Sequence, residues 1–108
     1  MAIQVPARLL DGTVLSFLKT EDLYGYALTQ QVQAVLDISE STIYPVLRRL
    51  KKGGYLDTYD QPYLGRNRRY YRLTDTGQAL FWEIKAEWQK FSDGINQVME
   101  VNENEVDH

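Results

Sequence analysis

Along most of this chain apolar residues recur at intervals of three or four; in one short region they recur at intervals of two. That pattern predicts a mainly helical protein with one small β element. Leu9, Leu10, Val14, Leu15, Phe17 and Leu18 give a first helix a broad apolar face, and Pro6 suits its start. Asp11-Gly12 interrupts that face and marks a place where the helix would bend or begin. A second helix is predicted from about Leu23 to Val35, with Leu23, Tyr26, Ala27, Gln30 and Gln31 near one stripe. Gly25 would let another helix approach closely, and Tyr24 and Tyr26 either pack between helices or line a ligand site. The alternation in Leu36-Asp37-Ile38 predicts a stub of strand.

The next stretch, Ser39 to Lys52, reads as one short helix. Ile43, Val46, Leu47 and Leu50 line one face, while Thr42, Tyr44, Pro45, Arg48, Arg49, Lys51 and Lys52 occupy the other. Ser39 or Ser41 can accept hydrogen bonds from the first free amides, and Gly53-Gly54 suits the end. Such a helix has the layout of a major-groove reader, and also that of an ordinary solvated helix.

After Gly54 the period becomes two. Tyr55 to Tyr59 and Arg68 to Leu73 read as strands joined by a loop holding Pro62, Gly65 and Asn67, with Arg66, Arg68 and Arg69 at or beside its tip. A basic hairpin after a basic helix is the layout of a winged helix-turn-helix. Thr74 then caps a long last helix, predicted from Thr74 to Val101, with Asp75 favourable at its positive end. Gly77, Phe81, Ile84, Trp88, Phe91, Ile95 and Val98 keep a four-three spacing, the seam of a helix that packs along another. A helix this long outruns so small a domain and calls for a partner surface, most simply the same helix of a second subunit. Gly94 weakens it.

Composition sharpens this picture in two ways. A net charge of −3 conceals segregation: residues 39–73 hold eight Lys/Arg against three acids, +5, and the other 73 residues carry −8. The chain has no cysteine, which excludes disulfides and thiolate metal sites. One domain is expected for 108 residues, and without a signal-like or membrane-length apolar run a soluble, cytoplasmic protein is expected. Enzymatic chemistry finds no support. The one histidine, His108, ends the chain, no phosphate-binding glycine loop appears, and Glu83 and Glu87 beside Lys85 and Lys90 read as a solvated face. No cofactor and no metal are expected.

Thr42, Tyr44 and Arg48 suit base contacts, and Arg49 and Lys52 suit phosphates. Pro45 either shapes the helix start or offers an apolar ring to a thymine methyl. The wing arginines could follow the phosphate backbone or enter a minor groove.

The runs YGYAL (Tyr24 to Leu28), STIYPVLRRL (Ser41 to Leu50) and RRYYRLTDTG (Arg68 to Gly77) resemble the PadR family of winged-helix transcriptional regulators, over about residues 9 to 98. The single long last helix resembles the small subfamily. That resemblance implies a mainly α protein with a small β-hairpin, a winged helix-turn-helix plus a dimerisation helix. It divides the chain into a DNA-binding domain at 1–73 and a dimerisation helix at 74–101; the acidic, polar composition of 102–108 predicts a disordered tail. The resemblance further implies a homodimeric repressor on a palindromic double-stranded DNA operator, with Thr42, Tyr44, Pro45 and Arg48 on the recognition face and Arg66, Arg68 and Arg69 on the wing; Ser41, Arg49 and Lys52 complete the expected DNA contacts. Tyr70 and Tyr71 match an aromatic pair on the wing's return strand. Trp88, with Phe81, Ile84, Phe91 and Ile95, corresponds to a dimer interface that binds a small hydrophobic or aromatic effector in one branch of the family. The alternative reading is a winged-helix module that docks a protein partner.

Overall fold

The computed structural model describes residues 3–100. Four helices and three short strands follow in the order α1 (Ala7–Thr20), β1 (Leu23–Tyr24), α2 (Gly25–Val35), α3 (Glu40–Lys52), β2 (Leu56–Tyr63), β3 (Arg66–Leu73) and α4 (Asp75–Met99). The strands form an antiparallel sheet in the order β1-β3-β2. This is an α+β winged helix with a long C-terminal helix.

α1 runs unbroken through Asp11-Gly12, so the expected bend is absent. Both residues are used for packing instead. Asp11 is buried, and Gly12 faces α4 so closely that a Cβ there would stand 2.6 Å from Ile84 Cγ2. The predicted second helix loses its first two residues to β1, whose Leu23 and Tyr24 pair with Tyr71 and Tyr70. Its buried stripe is Leu28, Thr29 and Val32, whereas Tyr26 is exposed, about one helical position from the expected face. Leu36-Asp37-Ile38 forms no strand.

α3 buries Ile43, Val46, Leu47 and Leu50, the four expected positions. Ser39 is its N-cap residue, yet no hydroxyl caps a backbone amide; Ser39 Oγ instead lies 2.9 Å from Ser41 Oγ and 3.1 Å from Thr42 Oγ1. The helix stops as glycine dictates. Gly54 takes φ +83°, its N–H donates to the Lys51 carbonyl, and the Tyr55 N–H reaches back to the Leu50 carbonyl.

The hairpin is longer than alternation alone suggested. Pro62 pairs with Asn67 and Tyr63 with Arg66, leaving a two-residue turn at Leu64-Gly65 with both φ angles positive, 50° and 77°. Such turns match the natural twist of paired strands. At the other end, Thr74 caps α4 by accepting from the Gly77 N–H at 3.0 Å. The Thr74 and Thr76 hydroxyls both donate to the Gly54 carbonyl, at 2.7 and 2.8 Å. The end of α3 and the start of α4 are thereby pinned together.

α4 extends about 37 Å at 1.5 Å per residue, in a body measuring 66 × 28 × 21 Å. Its seam divides into two halves. Gly77 and Ile84 are buried and Phe81 half-buried within the chain's own core. Trp88, Phe91, Ile95 and Val98 are exposed, Val98 at 84%. The predicted extension to Val101 and the tail at 102–108 lie outside the described residues.

Candidate nucleic-acid interface

Two basic elements meet at one place. Ser41, Thr42, Pro45, Arg48, Arg49 and Lys52 are all exposed on α3, opposite its aliphatic stripe. Pro45 sits inside the helix rather than at its start. Without an N–H it leaves the Ser41 carbonyl lacking its usual helical donor, one more acceptor on the exposed face. Tyr44 departs from the expected open position. It is half-buried, packed against the core, with its ring edge 3.5 Å from where a Cβ on Gly25 would stand. Gly25 thus admits this ring rather than a neighbouring helix.

The hairpin divides its arginines by alternation. Directly paired residues share a face, so Leu56, Leu73, Thr58, Tyr71, Asp60 and Arg69 lie on the inner side, continuous with the core. Arg66, Arg68, Tyr70 and Arg72 lie on the outer side with Tyr59 and Tyr63. Tyr70 and Tyr71, expected as a pair, therefore point opposite ways. Tyr71 joins the wing to α3. Burial pushes its hydroxyl above the ordinary phenol range, Arg69 opposes this, Tyr44 adds to it and Arg48 opposes it. Tyr71 thus lies within electrostatic reach of cations from two different elements, Arg48 and Arg69.

Several cations are already engaged. Arg49, expected at a phosphate, grips the buried Asp11 carboxylate through both terminal nitrogens, Nη1 at 3.2 Å and Nη2 closer. That carboxylate holds the Arg49 guanidinium above its ordinary range. Arg69 lies 3.4 Å from Asp60, and Arg72 3.6 Å from Asp57. Arg68 is sandwiched between the rings of Tyr24 and Tyr63, 4.0 and 3.5 Å from their centroids. Beside it, Tyr59 stacks on Tyr70 with centroids 5.5 Å apart and donates a 2.6 Å hydrogen bond to Asp22, which raises the Tyr59 pKa. Among the described residues, Arg48, Lys51, Lys52 and Arg66 have neither a carboxylate nor an aromatic partner.

The residues assigned to the effector and dimer surface fall in two places. Phe81, Ile84 and Trp88 line a mainly apolar groove of about 560 Å³ that α1 and the segment before it complete with Pro6, Leu9 and Phe17. Ile84 is buried against Gly12 of the same chain, so it forms the groove wall rather than an open contact surface. Phe91 stacks on Trp88 at 6.1 Å and, with Ile95, continues along the free half of α4. Glu83 and Glu87, read as a solvated face, both bind Arg8 of α1, at 3.0 and 2.7 Å. The described residues contain no group of His, Cys, Asp and Glu able to hold a metal and no helix long and apolar enough to cross a membrane.

The sequence pattern did not bring out Asp11, Tyr24 and Tyr63 as partners of the basic residues, nor Asp22 as the acceptor for the Tyr59 hydroxyl. Asp11 did carry a signal. It falls four and seven residues before Leu15 and Leu18, so an acid stands on the apolar stripe of α1 while the surplus arginines lie elsewhere in the sequence.

Comparison with known proteins agrees with this geometry. The model of the transcriptional regulator PadR-like family matches residues 14–83. A crystal structure from Streptococcus mutans is 38% identical, with a TM-score of 0.86 and coverage of 93% of this chain and 94% of that one. A PadR-like transcriptional regulator from Bacillus cereus is 30% identical, with a TM-score of 0.78 and coverage of 87% and 94%. A transcriptional regulator of Mycobacterium tuberculosis is 34% identical over 71 residues, 65% of this chain and 66% of that protein.

Proposed function

The chain belongs to the PadR-like family of transcriptional regulators, and from that premise we propose that it is a cytoplasmic homodimeric repressor of a palindromic operator, tuned by a small hydrophobic or aromatic effector. Members of this family regulate transcription and are not enzymes. Residues 1–73 would read DNA and residues 74–101 would hold the dimer together.

The observation that carries this reading is that the Tyr44 ring of α3 and the Tyr71 ring of the wing meet over Gly25, 3.5 and 3.6 Å from where its Cβ would stand. It sets α3 beside the inner face of the wing, the face that carries Arg69. Arg48 and Thr42 supply groups that match base edges in a major groove, while Lys52 and Arg66 suit phosphates. Two copies would place their recognition helices in successive major grooves about 34–36 Å apart. The exposed run Trp88, Phe91, Ile95, Val98 and Met99 supports a second copy along α4. The effector would enter at the groove beside Trp88, and it can shift the DNA-binding equilibrium only through unequal affinity for two arrangements of the dimer.

Fluorescence anisotropy with duplex DNA from upstream of the protein's own gene, across a salt series, tests this. The expected result is tight, sequence-dependent binding. Three free cations per protomer besides the base-contacting Arg48, namely Lys51, Lys52 and Arg66, predict a log–log salt slope of about −5 for a dimer, at about −0.9 per neutralised phosphate. Arg48→Ala should lose about 1–3 kcal/mol of discrimination at one operator position. No preference over scrambled DNA for any genomic sequence would favour a protein-docking module instead.

A further inference from the structure

α3 is held in the domain mainly by aliphatic contacts through Ile43, Val46, Leu47 and Leu50, with the Tyr44 ring packed beside Gly25 and the helix end tied at Gly54. Such contacts are strong but non-directional, so they fix how deep a helix sits better than how it is rolled about its axis. A reading helix needs its roll fixed. At a helix radius of about 5–6 Å, a roll of about 10° carries a side-chain tip about 1 Å, enough to open a hydrogen bond.

One directional contact is present. Among the described residues, the side chains of α3 make a single hydrogen-bonded link to another secondary element, the fork from Arg49 to Asp11 on α1. Its two ends differ. The Asp11 side chain is 9% exposed, whereas that of Arg49 is 55% exposed, so the pair is anchored at the carboxylate. A planar guanidinium joined to a carboxylate by two bonds resists rotation as a point charge does not. Arg49 is also two turns beyond Thr42 and adjacent to Arg48, so its setting governs both expected base-contacting residues.

We infer that Asp11 and Arg49 are positioning residues for DNA reading: the buried carboxylate clamps the guanidinium and sets the roll of α3, and Arg49 acts on the operator through Arg48 and Thr42. This rests on the reading of α3 as the recognition helix. It also gives the acid on the apolar stripe of α1 a role that packing alone does not provide. The next residue, Gly12, is where α4 meets α1 at Ile84. α1 therefore holds the recognition helix and the groove helix at consecutive positions.

The test compares wild type, Asp11→Asn and Arg49→Lys by binding to operator and to scrambled duplex, and by hydrogen exchange of α3 in the free protein. In both variants operator affinity should fall about tenfold while affinity for scrambled DNA holds, because only geometry-dependent base contacts are lost. Exchange should quicken in α3 and stay unchanged in β2 and β3. If Arg49 is instead a phosphate ligand, Asp11→Asn frees it and both duplexes bind more tightly, while Arg49→Lys is nearly neutral; that result overturns the inference. Equal losses on both duplexes together with a lower melting temperature would reduce the pair to a structural tie and overturn it too. If wild type shows no operator preference, the DNA-reading function itself fails. Unchanged α3 exchange in the variants would then refute the positioning role independently.

Discussion

One substitution made at two points of α4 should give opposite results. Gly77 and Gly94 are both helical, and replacing either by alanine gains about 1 kcal/mol of helix propensity. Their surroundings differ. A Cβ on Gly94 meets nothing within 4 Å, so Gly94→Ala should stabilise by about that amount and raise the melting temperature by about 4–8 °C. A Cβ on Gly77 would overlap the Tyr55 carbonyl oxygen and stand 2.8 Å from Leu73 Cδ1.

A side chain could swing aside, but the Tyr55 carbonyl cannot do so freely. It accepts the Thr74 N–H at 3.2 Å, and the preceding Gly54 carbonyl is held by two threonine hydroxyls. Relief of the overlap must separate α4 from the α3–β2 turn. Overpacking of about 1–3 kcal/mol, with at least one hydrogen bond lost at about 1 kcal/mol, outweighs the propensity gain. Gly77→Ala should thus destabilise by about 1–3 kcal/mol, lowering the melting temperature by about 4–24 °C. Urea unfolding followed by far-ultraviolet circular dichroism measures both variants, at one fixed protomer concentration so that association does not shift the midpoint. A Gly77→Ala protein as stable as Gly94→Ala would refute the junction described here, because the entry of α4 would not then run over the Tyr55 carbonyl.

Two further predictions concern α4. Arg8 holds the Glu87 carboxylate below its usual range, so the ion pair stabilises the α1–α4 contact above the ordinary carboxylate pKa and is lost as pH falls through the depressed one. In an NMR titration, Arg8→Ala should move the Glu87 midpoint up towards the ordinary carboxylate range, and an unmoved midpoint would remove Arg8 as the cause. Trp88→Ala opens the groove wall without touching the α3–wing surface, so it should weaken any effector response measured by tryptophan quenching or operator release while operator affinity stays within about twofold of wild type, about 0.4 kcal/mol. Equal loss of both would place Trp88 in the scaffold of the dimer rather than at a ligand.

What the sequence made legible follows from how local each feature is. The buried face of α3, its glycine stop and the Thr74 cap are set within a few residues, and the expectations met the structure there. β1 was missed because two residues carry no period. It exists only because Leu23 and Tyr24 meet Tyr71 and Tyr70 across nearly fifty residues of chain. Leu36 to Ile38 shows the converse, alternation with no partner to pair it. Alternation locates the wing, but Pro62 and Asn67, turn formers by residue type, pair across its exposed edge instead of lying in a loop. Seam periodicity on α4 was real but ambiguous. One period serves the chain's own core as far as Ile84 and an exposed stripe from Trp88 onwards. Asp11 and Arg49 are 38 positions apart, and neither the helical period of α1 nor that of α3 could join them.

The same limit applies to charge, where segregation along the sequence overstates the cations available to DNA. Residues 39–73 carry eight, but Arg49 is committed to α1, Arg69 and Arg72 face carboxylates across the hairpin, and Arg68 is enclosed by two tyrosines. The commitments differ in kind. The Asp60 and Asp57 partners are half exposed and at the long end of ion-pair distance, so a phosphate could displace them at little cost. Asp11 is buried, and removing its partner would strand a charge in the core, which is several-fold more expensive. Arg69 can therefore exchange partners on binding, whereas Arg49 is held. Under the proposed function, an acidic protein would read DNA through the cations left free, Arg48, Lys51 and Lys52 on α3 and Arg66 on the wing, while the paired ones hold those elements in shape.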